Sequence, residues 1–169
     1  MFRQIPNVLT VLRLLGTVPV VWLIVERNFL TALLVSFLIA VTDSLDGWMA
    51  RRWHLESRFG ALMDPLADKM LVGGGFLALL YIGAMPVWLV AMAMGRDLMI
   101  LMAAAVLFRV TGKKDFPPSR LGKANTFDLM CTVAAVLLNF HPEVFFGICA
   151  VTIVTSGAHY AYLGYQSMK

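Results

Sequence analysis

The sequence predicts an all-α integral membrane protein, a six-transmembrane-helix bundle. Three observations predict it: the composition, the spacing of the apolar runs and the one-sided distribution of positive charge. Of 169 residues, 60% are hydrophobic and 14% are charged, and the mean hydropathy is +0.79. A soluble domain carries about 25% charged and about 45–50% apolar residues, so the excess apolar surface is expected to face lipid. A bilayer-spanning helix takes about 20 residues, and six of them use nearly the whole chain as one membrane domain, residues 1–169. The net charge of +4 is too small to indicate a nucleic-acid partner, and membrane lipids are the expected surroundings. Cys131 and Cys149 both lie in apolar runs and read as small core residues rather than a disulfide framework or a zinc site. The N-terminus does not read as a signal peptide: Arg3 is a thin basic region, Pro6-Asn7 interrupts it, and no small-residue cleavage site succeeds the first apolar run.

Polar punctuation separates the six spans. Span 1 runs over about 8–25 and stops at Glu26-Arg27-Asn28. Span 2 covers about 30–50 and ends in Arg51-Arg52-Trp53-His54. Span 3 covers about 60–82, before Gly83-Ala84-Met85-Pro86. Span 4 covers about 87–108 and is followed by a polar loop from Arg109 to Arg120 that contains the Pro117-Pro118 pair. Span 5 covers about 122–138, and the turn Asn139-Phe140-His141-Pro142-Glu143 leads to span 6 over about 144–162. With six spans, Arg3, Arg51, Arg52, Arg58, Arg109, Lys113, Lys114, Arg120, Lys123 and Lys169 share one side, against Arg27 on the other. Basic residues mark cytoplasmic loops, so both termini and the 51–59 and 109–121 loops are expected in the cytoplasm.

Carboxylates next to and within the spans are the informative feature. Asp43 and Asp46 close span 2, and Asp64 and Asp68 open span 3. An Asp costs about 2.5–3.5 kcal/mol at the centre of a membrane helix and less near an interface, and four facing acids also repel. Asp43 and Asp46 are three apart and Asp64 and Asp68 four apart, so each pair shares a helical face. The short connection makes the two helices antiparallel neighbours, which brings both pairs to one cytoplasmic mouth. Two divalent cations would neutralise four carboxylates. Hard oxygen ligands suit Mg²⁺, Mn²⁺ or Ca²⁺, and no His or Cys set suggests zinc. The competing reading has the acids capping helices or pairing with Arg51, Arg52, Arg58 and Lys69. Gly47 and Ala50, one turn apart, leave a shallow face beside the acids, and Arg51, one turn from Gly47, is within reach of a diphosphate; alternatively Gly47 and Ala50 are ordinary helix-packing residues.

Together these residues form the stretch Asp43-Ser44-Leu45-Asp46-Gly47-Trp48-Met49-Ala50-Arg51, then eight residues to Gly60, three to Asp64 and three to Asp68. This resembles, at every fixed position, the D-x2-D-G-x2-A-R-x8-G-x3-D-x3-D pattern of the CDP-alcohol phosphatidyltransferases. The opening Pro6-Asn7-Val8-Leu9-Thr10-Val11-Leu12-Arg13 is similar to the start of that family, and six spans match its topology. The resemblance implies an enzyme that cleaves the diphosphate of CDP-diacylglycerol, releases CMP and passes the phosphatidyl group to an alcohol or lipid acceptor. It implies two metal ions, Mg²⁺ or Mn²⁺, on Asp43, Asp46 and Asp64, with Asp68 beside the metals as the base for the acceptor hydroxyl. It places Gly47, Ala50, Arg51 and Gly60 along the CDP pocket. It also implies a homodimer; the expected location is a bacterial cytoplasmic (inner) membrane, and the charge asymmetry sets the active site facing the cytoplasm.

Other polar residues extend this picture. Asn7, Thr10, Arg13 and Thr17 form a polar stripe on span 1 at helical spacing, expected to face the headgroup cavity; the alternative is a helix cap with a snorkelling arginine. Arg120 and Lys123 open span 5 and would bind an acceptor phosphate or anchor the span to lipid headgroups. Arg96-Asp97, in the middle of span 4, reads either as a buried ion pair that fixes packing or as a substrate contact. Asp128 is expected to face the bundle and pair with a basic residue. The runs Gly95-Arg96-Asp97-Leu98-Met99-Ile100 and 117–126 and the tyrosines Tyr160, Tyr162 and Tyr165 resemble the branch whose acceptor is phosphatidylglycerol, and the branch using glycerol 3-phosphate is the alternative. A divalent-metal or proton transporter is the reading from another class, but it would place acids nearer the midplane on broken helices. The charge asymmetry makes a direct prediction: an impermeant thiol reagent outside intact cells leaves cysteines introduced at Glu56 and Lys114 unlabelled, and ready labelling at both would invert the topology.

Overall fold

A backbone in hydrocarbon has no water to bond, so it satisfies its own polar groups, and the helix does this within one segment. The computed structural model describes the backbone of residues 5–52, 58–111 and 120–167 and, within these, the side chains of 15–42, 69–103 and 121–162. The described residues form six α-helices and no strand: α1 (Ile5–Val25), α2 (Phe29–Arg52), α3 (Arg58–Tyr81), α4 (Val87–Thr111), α5 (Arg120–Leu137) and α6 (Pro142–Ser167). Each of the six apolar runs lies in one helix. The boundaries differ where helices run on past the apolar stretch: α2 includes Arg51 and Arg52, and α4 continues to Thr111. α6 starts at Pro142, inside the expected turn, because proline suits the first helical position, where its missing N–H is not needed.

The chain divides into two three-helix units, Met1–Ala84 and Met85–Lys169. In the first, α1 packs on both α2 and α3; in the second, α6 packs on both α4 and α5. The first core is built from Val20, Ile24, Ala32, Leu71, Phe76, Ala78 and Leu79. The second is more polar: Arg96, Asn125, Thr132 and Ser156 are buried beside Leu89, Leu129, Cys149 and Ile153. Cys131 and Cys149 are free thiols, and Cys149 is fully buried. Hydroxyls within the helices bond back to their own carbonyls, Ser36 to Ala32 at 2.7 Å, Thr132 to Asp128 at 2.9 Å and Thr155 to Val151 at 2.9 Å, which removes the cost of an unpaired hydroxyl in an apolar setting.

Outward faces are apolar. Leu30, Leu34, Phe37, Leu38 and Val41 form an exposed stripe along α2, and Val144, Ile148, Val151 and Val154 form one along α6. Such surface at i, i+3/i+4 and i+7 spacing is what a soluble protein would bury. Among the described residues, Pro142–Tyr162 is long and apolar enough to cross a bilayer, and Leu15–Val25, Phe29–Thr42 and Lys69–Tyr81 are shorter apolar stretches.

Three helices close in the same way. Asn28 N–H donates to Leu23 C=O at 2.9 Å and Arg27 N–H to Ile24 C=O at 3.0 Å; the same paired bonds recur from Ala84 and Gly83 at the end of α3 and from Phe140 and Asn139 at the end of α5. This is the Schellman arrangement, which satisfies the last carbonyls of a helix through one left-handed residue. That residue is Gly83 with φ 76° on α3, but Arg27 with φ 58° and Asn139 with φ 52° on the others. Glycine adopts this conformation freely and other residues at a cost of about 1–2 kcal/mol. Gly83→Ala is therefore expected to lower the thermal unfolding midpoint in detergent by roughly 2–4 °C, and Arg27→Gly to leave it unchanged or raise it. An unchanged midpoint in Gly83→Ala would contradict the assignment.

Candidate active site

The motif residues lie on three helices of one unit. α1 carries Asn7, Thr10 and Arg13 in its first turns; α2 carries Asp43, Asp46, Gly47, Ala50 and Arg51 in its last turns; α3 carries Gly60, Asp64 and Asp68 in its first turns. The side chains of all of these lie outside the described residues. The packing that sets their helix register is described.

Two glycines define it. A Cβ on Gly16 would stand 3.0 Å from Ile39 Cδ1, and a Cβ on Gly74 would stand 3.2 Å from Thr17 Cγ2 and 3.2 Å from Val21 Cγ2. α1 therefore approaches α2 at Gly16 and α3 at Gly74, where small residues let backbones come close. The short connections between consecutive helices make α2 antiparallel to α1, and α3 parallel to it. Continued by two turns, about seven residues, toward the start of α1, this register brings Leu9 level with Asp46 and Thr10 level with Ala67. All four aspartates then fall alongside the stretch of α1 between Asn7 and Arg13. Three separate sequence signals, the polar stripe and the two acid pairs, thus converge on one end of the unit.

The donor set suits a hard cation. The helical segments 5–13, 43–52 and 58–68 that hold these residues contain four Asp and no His or Cys, and carboxylate oxygen is the chemistry of Mg²⁺ and Mn²⁺ sites rather than of zinc.

The second unit carries the remaining polar residues. Arg120 and Lys123 sit in the first turn of α5; Lys123 is exposed, and the Arg120 side chain lies outside the described residues. Arg96 is buried with a side chain only 8% exposed. Its Nη1 donates to Asp97 Oδ1 at 2.7 Å, its Nη2 donates to Ser156 Oγ on α6 at 2.5 Å, and its guanidinium lies 5.7 Å from the centre of the Tyr160 ring. Of the two sequence readings of Arg96-Asp97, these contacts favour packing: the part-buried ion pair lies within α4, and Arg96 links α4 to α6 through Ser156 and Tyr160. Asp128 does face the interior, but the expected basic partner is replaced by a hydroxyl: Thr152 Oγ1 donates to Asp128 Oδ2 at 2.7 Å. Sequence reasoning passed over Ser156 and Asn125, both buried at 1% and 0% exposure. The available signal was Arg96 itself, since a buried arginine requires polar partners on facing helices.

Comparison with known proteins matches the sequence to a family. The chain is 37% identical over 144 residues to a cardiolipin synthase (CMP-forming) of Streptomyces coelicolor, an alignment covering 80% of this chain and 65% of that protein. It is 34% identical over 186 residues to the Homo sapiens cardiolipin synthase (CMP-forming), covering 95% of this chain and 61% of that one. It is also 36% identical over 160 residues to a CDP-diacylglycerol–glycerol-3-phosphate 3-phosphatidyltransferase of Cereibacter sphaeroides, covering 86% of this chain and 68% of that protein. The chain thus spans less than two thirds of the length of the two cardiolipin synthases. The family model for CDP-alcohol phosphatidyltransferase matches residues 3–157, which takes in the polar stripe of α1, both acid pairs and the polar interior of the second unit, and the chain belongs to the CDP-alcohol phosphatidyltransferase family.

Proposed function

We propose that this chain is a membrane-embedded transferase that moves a phosphatidyl group from CDP-diacylglycerol to the hydroxyl of phosphatidylglycerol, releasing CMP, as a cardiolipin synthase does. The observation that carries the proposal is the register at Gly16 and Gly74, which supports a site where the four motif aspartates meet beside the start of α1. Asp43, Asp46 and Asp64, with Asp68 beside them, would hold two divalent ions, Mg²⁺ or Mn²⁺. When bound, the ions offset the charge of the diphosphate and lower the pKa of the acceptor hydroxyl. Gly47, Ala50 and Gly60 leave room for the nucleotide, and Arg51 supplies a cation to the diphosphate. The acceptor oxygen attacks the phosphorus that bears diacylglycerol. The phosphoanhydride bond to CMP breaks, its electron pair leaves on CMP, and Asp68 takes the proton of the hydroxyl.

In this reading all six helices span the membrane, the acid end of the first unit opens to the cytoplasm, and two copies associate as a homodimer in a bacterial inner membrane. The exposed apolar stripes on α2 and α6 support the membrane placement. Asn7, Thr10 and Arg13 line the headgroup side of the cavity, and Arg120 and Lys123 bind phosphate on the acceptor. A second reading takes glycerol 3-phosphate as the acceptor, favoured by the 36% identity to the Cereibacter sphaeroides enzyme.

Offered CDP-diacylglycerol with each acceptor separately, the purified chain is expected to release CMP with phosphatidylglycerol. Release with glycerol 3-phosphate alone would select the second reading, and release with neither would refute both. Excess chelator should stop turnover, as should Asp43→Asn or Asp46→Asn, which should also remove metal-dependent binding of the CDP-lipid. Asp68→Asn should separate binding from chemistry: a general base contributes about 10²–10⁴-fold, so turnover falls by at least ~10² while calorimetry finds most of the CDP-lipid affinity retained. Parallel loss of both would make Asp68 chiefly a metal ligand.

A further inference from the structure

The polar interior of the second unit contains three atoms whose bonding capacity the protein does not use. Asn125 is 0% exposed, and neither its Nδ2 nor its Oδ1 has a partner within the protein; Arg96 Nε is buried in the same condition. An unmade hydrogen bond on a buried polar group costs about 1–3 kcal/mol, so three of them together point to an occupant.

The helix register sets Asn125 and Arg96 at the same level of α6. A Cβ on Gly122 would meet Tyr160 Oη at 2.5 Å, and Asp128 bonds Thr152, so α5 and α6 run antiparallel with Asn125 level with Ser156. Ser156 is the residue that accepts from Arg96 Nη2. A Cβ on the neighbouring Gly157 would stand 3.8 Å from Arg96 Cγ, which seats the arginine stem against α6 at this level.

The chemistry of the free atoms selects the occupant. Asn125 Nδ2 and Arg96 Nε are donors, and Asn125 Oδ1 is an acceptor. An anion would leave Oδ1 facing a like partial charge, and the Arg96 charge is already matched by Asp97 at 2.7 Å. A cation would oppose Arg96. A hydroxyl fits all three, donating once to Oδ1 and accepting from Nδ2 and Nε, and three bonds is the usual complement of a buried water.

We propose that Asn125 and Arg96 form an internal site in the second unit that holds one hydroxyl group. Its source is either a buried water or a glycerol hydroxyl of the acceptor headgroup; the second source rests on the transferase reading, and the first is independent of it. The test is the unfolding midpoint of Asn125→Leu in the full chain, measured in detergent without acceptor and again with added phosphatidylglycerol. Leucine is close in size to asparagine and apolar. If the site holds water, the substitution lowers the midpoint by about 2–4 °C without acceptor. If it holds the headgroup, the midpoint is unchanged or raised without acceptor, and the rise that phosphatidylglycerol produces in the wild type is lost. A midpoint raised or unchanged without acceptor, with the rise from phosphatidylglycerol kept, overturns the proposal, because a site that is dry in both states gains when an unpaired amide is replaced. Should Asn125→Leu fail to fold, water-edited solid-state NMR of the wild type decides the same question. Transfer from water to the Asn125 side-chain amide, or its replacement by transfer from phosphatidylglycerol when that lipid is added, supports the site; transfer from neither overturns it.

Discussion

The close approach of α1 to its two neighbours is the constraint on which the rest of the site depends. Gly16 admits Ile39 of α2 to within 3.0 Å of where a Cβ would be, and Gly74 admits Thr17 and Val21 to within 3.2 Å. A larger side chain at either glycine would require the facing side chain to give way by a few tenths of an ångström. In lipid no hydrophobic effect draws helices together, and close van der Waals packing at small residues takes that role. These contacts lie about two turns from the acid pairs, so the geometry of a strongly charged site is set by an apolar interface that contains no charge. In the proposed site four carboxylates would repel one another, and the proposed divalent cations would offset that repulsion. The close contacts at Gly16 and Gly74 supply the scaffold for that proposed site.

The second unit solves a related problem by different means. A buried arginine is tolerated only if its charge and its donors are matched. Here Asp97 matches the charge from the same helix, and Ser156 and Tyr160 engage the guanidinium from α6. Tyr160 in turn lies against Gly122, so one side chain on α6 ties the arginine of α4 to the start of α5, where Arg120 and Lys123 sit. Asp128 and Thr152 form a second polar link between α5 and α6. Specific hydrogen bonds between helices thus help to fasten this unit.

Much of this was legible in the sequence. Six helices fall where the apolar runs lie, because long apolar runs bounded by polar punctuation mark helices that bury an apolar face. The pairs Asp43/Asp46 and Asp64/Asp68 were legible from spacing alone, since i, i+3 and i, i+4 define a face. Helix ends were less so. Arg51 and Arg52 continue α2 because a helix does not stop where apolarity stops, and the left-handed Arg27 and Asn139 have no glycine to announce them. Asn125, Ser156 and the hydroxyl partner of Asp128 were not legible either. Each gains its meaning from a residue on another helix, and a single sequence carries no register between helices.

That register is open to direct measurement. In a background of Cys131→Ala and Cys149→Ala, cysteines are placed in pairs at Thr10 with Ala67 and at Leu9 with Asp46, and a short bifunctional thiol reagent is applied in native membranes. Efficient intramolecular crosslinking is expected for both pairs, and none for a control pair at Thr10 with Ala78. Crosslinking of the control in place of the two pairs would mean that α1 does not lie beside the acid-bearing ends of α2 and α3, and the site as described would not exist.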